Sequence, residues 1–474
     1  MNFNSLQYLI FLPVITVLYY LLPRRLKNPM LLLASYYFYM CWDARYASLM
    51  LLSTALTYCC GRLIAAFPRR KKLWLCLSLF LNLVILFVFK YLGFFAGLIF
   101  PLLGKAAPGI SLLLPVGISF YTFQALGYTI DVYRGTLPAE RNFLNYALFV
   151  SFFPQLVAGP IERAENIVPQ LKVIHPFRYE NLERGLPPFL FGMFKKIVIA
   201  DNLAVLVNTA YNDAAHASGI QLLFATVCFA VQIYCDFSAY SDIARGSARF
   251  LGIELMQNFN APYLARSVRD FWRRWHISLS GWLRDYLYFP LGGSRVAPWR
   301  HCLNILIVFL VSGLWHGAAL TFVFWGLLHG LYQVIGIVCA PLRRRLYRHI
   351  PKDCALMRLL QWGGTMALVL FAWIFFRANS LSDCALILQR ILFAFGSPAS
   401  LLSLGLSAPA ILGTWLCVCM LFAVDFYGTE RLSLCLCRKP ALRYVLYVLL
   451  CMAIFLLGYY GAGYNPQEFI YFQF

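Results

Sequence analysis

The chain has 474 residues, of which 61% are apolar and 12% charged, and its 40 Lys and Arg against 19 Asp and Glu leave a formal charge of +21. A soluble domain needs about twice that share of charged residues to cover a water-facing surface, so an ordinary soluble enzyme is excluded. With a mean hydropathy of +0.69 and apolar runs recurring from end to end, the composition predicts an all-α polytopic membrane protein.

The first apolar run, Tyr8–Leu22, reads as a retained span. Met1 to Gln7 lacks a positive leader region and no small-residue cleavage site follows. Further spans are expected near 29–42, 46–66, Leu73–Phe89, 143–158, 186–206 and 218–234. Leu303–Leu342 holds no Asp, Glu, Lys or Arg and is long enough for two spans joined by a turn near Gly313–Leu320 or Gly326; the last spans fall near 359–376, 408–427 and Tyr444–Tyr464. The total is about 11 spans. We read 1–474 as one membrane domain, with N-terminal helices over 1–110, a core over 111–340 and C-terminal helices over 341–474.

The basic residues cluster in short connections: Arg24/Arg25/Lys27, Arg69–Lys72, the group Arg266, Arg269, Arg273 and Arg274, and Arg343–Arg348. Clusters of this kind mark cytoplasmic loops, which puts the N-terminus outside. They do not form the single extended basic face that a nucleic-acid partner would require. The fifteen Cys make no CxxC pair, so neither a structural metal nor a disulfide framework is expected.

The middle of the chain departs from simple spans. Gln124, Asp131, Gln232, Asp236, Asp242 and Arg245 interrupt the stretches Pro115–Asp131 and Gln232–Arg249. Polar groups at membrane depth must line protein or water. Either these stretches are helix ends at the interface, or broken and re-entrant segments enclose a polar cavity, with Pro115, Gly117, Pro154, Gly159 and Pro160 supplying the breaks. Further along, Ser267–Leu287 placed on a helical wheel puts Trp272, Trp275, Leu279, Trp282 and Tyr286 on one side and Arg269, Arg273, Arg274 and Arg284 on the other. This predicts an interfacial amphipathic helix, with His276 on the border between the faces. Its arginines are topology anchors on anionic lipid or ligands for the phosphates of a cytoplasmic donor. Tyr288–Arg295 reads as a turn.

His316, in Leu314-Trp315-His316-Gly317, stands inside the uncharged window. An imidazole there is either a general base, kept neutral by its apolar surroundings, or a packing residue hydrogen-bonded between helices. His329 carries the same two readings. On one continuous helix it would lie about 140° round from His316, so the two would not converge. His175, His216, His301 and His349 read as solvated loop residues. HExxH, GxSxG, Walker A and GxGxxG motifs are all absent.

Several blocks in order carry a resemblance. PVGISFYTFQALGYTIDVYRG (Pro115–Gly135), FFPQLVAGPIER (Phe152–Arg163), QIYCDFSAYSDIARGSARFLGI (Gln232–Ile253), NFNAPYLARSVRDFWRRWHISLSGWLRDYLYFPLGG (Asn258–Gly293), GLWHG (Gly313–Gly317), FAWIFFRANS (Phe371–Ser380) and the tail EFIYFQF (Glu468–Phe474) together resemble the membrane-bound O-acyltransferase family. Within it, the chain is similar to membrane subunits of bacterial polysaccharide O-acetylation such as that of alginate, with the D-alanyl transfer protein of teichoic acid as the nearest competitor.

The resemblance implies a multi-pass protein of the bacterial cell membrane, with re-entrant and interfacial helices and funnels opening from both sides onto a thin core. It implies that His316 is the essential histidine and His276 the second one. A donor beside His316, either His276 or Asn258/Asn260, is expected to stabilise the tetrahedral oxyanion, with Arg273, Arg274, Trp275, Trp315 and His329 in donor-binding or supporting places. The donor expected is acetyl-CoA or an acyl-carrier protein, with no bound cofactor. An extracytoplasmic acetyltransferase partner is implied as well. A transporter and a non-catalytic scaffold are the readings outside enzymology.

Overall fold

The computed structural model describes residues 1–106, 108–109, 112–157, 159–346, 354–428, 439–460 and 469, without the side chains of 343, 344 and 346. The described residues contain helices and no strand. In lipid a helix pairs all of its own backbone groups, which is why apolar sequence of this kind folds this way. Among the described residues, eight helices are long and apolar enough to cross a membrane, against about 11 spans expected. The chain forms two compact units, residues 1–189 with 240–257 and residues 190–239 with 258–474.

The first unit contains α1 (Leu6–Leu21), α2 (Arg24–Met40), α3 (Arg45–Ala66), α4 (Lys71–Leu86), α5 (Leu92–Leu102), α6 (Ile118–Arg134), α7 (Phe143–Ser151), α8 (Phe153–Leu156), α9 (Ala164–Lys172) and most of α10 (Tyr179–Phe194). Its helices are tied by short polar bonds. Asn82 of α4 meets the Ser53 hydroxyl of α3 at 2.5 Å, and the Tyr146 hydroxyl of α7 donates to Thr57 at 2.7 Å. Such bonds select one helix pairing where lipid gives apolar side chains little reason to choose.

Two expectations are corrected here. The window 143–158 is not a span, because α7 stops at Ser151 and the chain turns at Phe152 into the short α8. Nor are the polar stretches broken helices. Ile118 to Arg134 is one continuous helix, almost wholly buried, and Gln232 to Arg249 lies within the unbroken α12 (Gly219–Phe250). Gln124 and Asp242 find protein partners instead. The Gln124 amide donates to the Phe149 carbonyl at 2.6 Å, and Asp242 faces Arg245 at 3.8 Å. Protein partners offset the cost of depth as well as a cavity would.

The second unit comprises α11 (Asp201–Asn212), the first two thirds of α12, α13 (Val268–Arg274), α14 (Ile277–Leu283), α15 (Pro298–His316), α16 (Leu320–Val338), α17 (Ala340–Leu346), α18 (Ala355–Arg377), α19 (Leu381–Phe393), α20 (Ala408–Tyr427) and α21 (Pro440–Leu457). The expected span at 186–206 is interrupted by a π-helical turn at Lys195–Ala200. The 40-residue apolar window divides, as expected, into α15 and α16, with the turn at 317–319. These two helices cross at glycines. A Cβ built on Gly313 would lie 2.3 Å from the Phe322 carbonyl oxygen, and one on Gly326 would lie 2.3 Å from that of Phe309. Only a missing side chain lets the backbones approach this closely.

Candidate active site

The predicted amphipathic helix at Ser267–Leu287 is two helices. α13 ends at Arg274, Trp275 is extended and His276 adopts a left-handed conformation (φ 43°, ψ 55°) before α14 begins. The left-handed region costs an L-residue about 1 kcal/mol or more, so it persists only where surrounding contacts dictate it. Those contacts come from the segment before α13. The Ile277 N–H donates to the Asn258 carbonyl at 2.9 Å and the Asn260 N–H to the Arg274 carbonyl at 2.9 Å. The break turns His276 inward, fully buried, instead of leaving it at the border of a continuous helix. The aromatic side of the wheel holds: Trp272, Trp275, Leu279, Trp282 and Tyr286 are all buried.

Asn258 orients His276. Its side-chain oxygen accepts from the Ser278 N–H at 3.1 Å and from the Ser278 hydroxyl at 2.9 Å, and His276 Nδ1 lies 3.3 Å away. An oxygen fixed as acceptor by a backbone N–H requires His276 to donate from Nδ1, which leaves Nε2 with its lone pair. His276 lies outside the spanning helices, and burial pushes its imidazole down to about 3. It is therefore neutral at physiological pH.

His316 is the last residue of α15 and is buried. Its ring centroid lies 6.3 Å from that of His276, and Trp315 stands beside both, 5.1 Å from His316 and 5.7 Å from His276. Trp325 of α16 meets His316 edge to face at 5.0 Å, and Phe376 of α18 lies 5.4 Å away. The glycine after His316 matters sterically, since a Cβ at Gly317 would fall 2.2 Å from the Phe322 ring. The sequence places His316 and His276 forty positions apart, and the fold brings them together.

His329 lies one shell further out. The Trp272 indole N–H donates to His329 Nδ1 at 3.2 Å, and Trp325 stands 5.0 Å from the His329 ring as well as from that of His316. The two histidines do not share one helix. The chain reverses at 317–319, so they belong to paired helices and share Trp325. Trp275 is fully buried, stacked on Phe271 at 5.4 Å and packed on Trp373 at 5.2 Å. Arg274 is half-buried and bonds Asp270 at 3.0 Å, while Arg273 and the Asn260 side chain are exposed.

Reading the sequence missed Trp325, Trp373, Phe376 and Phe237, whose ring meets His276 at 4.6 Å. Nothing local distinguishes them from the other aromatics. It also missed an ion triplet. Buried Lys196 lies 2.9 Å from Asp201 and 2.8 Å from Asp236, and Lys195 donates to Ser238 at 2.7 Å. These bonds clamp the turn of α12 that carries Phe237. Of the remaining histidines, His216 is exposed beside Asp213, His175 and His301 are half-buried, and His349 lies outside the described residues, as do Cys435, Cys437 and the C-terminal tail apart from Phe469.

Two buried imidazoles converging in an aromatic enclosure suit proton transfer at a hydroxyl and exclude competing water. The chain belongs to the membrane-bound O-acyltransferase family, whose model matches residues 136–380. It is 38% identical over 409 residues to a probable alginate O-acetylase of Pseudomonas aeruginosa, covering 84% of this chain and 76% of that one. It is also 38% identical over 413 residues to a peptidoglycan O-acetyltransferase of Helicobacter pylori, covering 80% and 77%. A teichoic acid D-alanyltransferase of Bacillus subtilis is more distant, 28% identical over 235 residues, covering 47% of this chain and 59% of the other. The protein is an integral membrane O-acyltransferase.

Proposed function

We propose that the protein moves an acyl group, acetyl in the first instance, from a cytoplasmic thioester toward hydroxyls of a polysaccharide outside the membrane. The observation that carries this reading is the convergence of His316 and His276, 6.3 Å apart between ring centroids, inside a buried aromatic enclosure. In this scheme His316 takes the proton of the attacking hydroxyl as oxygen bonds to the thioester carbonyl carbon. The tetrahedral oxyanion collapses with loss of the thiolate, which receives that proton. His276, held by Asn258 and Ser278, offers a lone pair at Nε2. In the neutral ring Nε2 accepts rather than donates, so His276 accepts from groups at the reacting centre and does not donate to the oxyanion. Trp315 and Trp325 hold the His316 ring, and Arg273 and Arg274 serve the donor phosphates.

The acceptor class follows the relatives named for alginate and peptidoglycan, which favour a cell-envelope glycan and an extracytoplasmic partner that finishes the transfer. D-alanyl transfer from a carrier protein to teichoic acid is the second reading, supported by the more distant likeness to the D-alanyltransferase. The deciding experiment measures label transferred from acetyl-CoA to glycan in membranes containing wild type or His316→Ala at matched protein level. We expect His316→Ala to lose at least about a hundredfold in rate, the usual worth of a general base. Equal labelling in both would remove His316 from the chemistry. No label in either, with label from a D-alanyl carrier protein, would move the assignment to the second reading.

A further inference from the structure

A cavity of about 220 Å³ opens in the first unit where the start of α2, the start of α7 and the end of α9 meet. Four of its lining residues are cationic, Arg24, Arg25, Lys27 and Lys172, and none is acidic. Lys172 is paired with Glu140 at 2.6 Å. Lys27 is not balanced in this way. Its side chain is buried, and its ammonium lies 3.4 Å from the His175 carbonyl, 4.6 Å from the centre of the Tyr19 ring and 5.5 Å from that of Tyr20.

A carbonyl at that distance and two ring faces are weak compensation for a desolvated charge, which calls for an anion. The polar part of the cavity wall is held rigid. The Asn28 amide donates to Asn145 at 3.0 Å and to the Leu171 carbonyl at 2.7 Å, joining α2 to α7 and α9. Rim residue Val173 and the nearby Phe177 are exposed apolar side chains.

We propose that this cavity is a binding site for a phosphate group, presented by an anionic phospholipid headgroup or by a soluble phosphate compound. Arg24 and Arg25 grip the phosphate oxygens, Lys27 supplies the buried charge, and the asparagine amides fix the wall. The basic first turn of α2 is expected at headgroup level on the cytoplasmic side by the positive-inside rule. Neither His276 nor His316 lines it, and the proposal does not depend on their role.

The test is thermal unfolding of the purified, delipidated full-length protein. Short-chain phosphatidylglycerol and inorganic pyrophosphate are titrated in turn, with phosphatidylcholine and sodium chloride at matched ionic strength as references. The expected result is saturable stabilisation by phosphatidylglycerol alone, which assigns a lipid headgroup, or by pyrophosphate as well, which assigns a soluble phosphate. Arg24→Gln/Arg25→Gln should raise the half-saturating concentration about tenfold, the size expected for a lost charge-assisted hydrogen bond. Lys27→Met should do the same. Arg69→Gln/Arg70→Gln, which removes equal charge from another basic loop, should leave it unchanged. The proposal is overturned if neither probe stabilises the wild type saturably, or if the Arg69/Arg70 variant weakens binding as much as the cavity variants.

Discussion

At the scale of single residues, His276 is held by its neighbours in a state water would not allow. The unfolded chain protonates this imidazole near its ordinary value of 6.5, whereas the folded chain refuses the proton until about pH 3. Stability is therefore fully present above pH 6.5 and is lost as pH falls from there toward 3, because the unfolded state binds more protons in that window. His276→Gln cannot titrate, and thermal unfolding of that variant in detergent should fall less steeply between pH 6.5 and 4.5 than the wild type. Parallel curves would mean that other buried groups dominate the acid limb. Gly317 makes a second point at this scale. It follows His316 because the Phe322 ring occupies the space a side chain would need.

Between elements, the decisive contact is the crossing of α15 and α16. His316 ends one helix, and Trp325 and His329 ride on the other, so the crossing sets the distance between His316 and Trp325. Gly313→Val would drive a branched side chain into the Phe322 backbone. We expect a loss of about 1–3 kcal/mol, the usual cost of overpacking. It should be read as a lower unfolding temperature together with reduced acyl transfer; unchanged stability would show that the crossing relaxes without strain. The break between α13 and α14 divides labour in the same way, turning His276 inward while Arg273 stays exposed. Replacing Arg273 and Arg274 together by Gln should raise the donor KM about tenfold or more if guanidinium-to-phosphate bonds bind it, with kcat less affected. An unchanged KM would restrict these arginines to anchoring the loop.

For the molecule as a whole, charge and hydropathy predict the orientation. The short loops at Arg24–Lys27 and Arg69–Lys72 belong in the cytoplasm, and the connection at Asp43–Arg45 belongs outside. In a variant cleared of its native cysteines, a cysteine introduced at Arg70 should react with an impermeant maleimide only after the membrane is opened, and one at Ala44 should react in intact cells. The reverse pattern would invert the donor and acceptor sides of the proposed transfer. The fold class is confirmed at this scale, with eight helices among the described residues long and apolar enough to span. Of the expected spans, α1 and α2 have only 16 and 17 residues, α7 stops at Ser151, and a π-helical turn follows Phe194. The last two follow from packing rather than hydropathy.

The amino-acid sequence by itself determined the membrane class, because an excess of apolar residues has only lipid or a core to occupy, and the turn that divides Leu303–Leu342, because that length exceeds one span. It also singled out His316, since an imidazole in an uncharged window has few innocent reasons to be there. Only the tertiary structure decided what surrounds it. The left-handed backbone at His276 is imposed by bonds from Asn258 and Asn260, which helical periodicity cannot register, so a wheel drawn through Ser267–Leu287 runs straight past the break. The enclosure of Trp325, Phe376 and Phe237 joins residues up to 139 positions apart, as 376 − 237 gives, in a chain with 41 Phe and 11 Trp. Hydropathy records how deep such side chains lie. Which of them meet is set by helix crossings that depend on glycines and buried polar bonds.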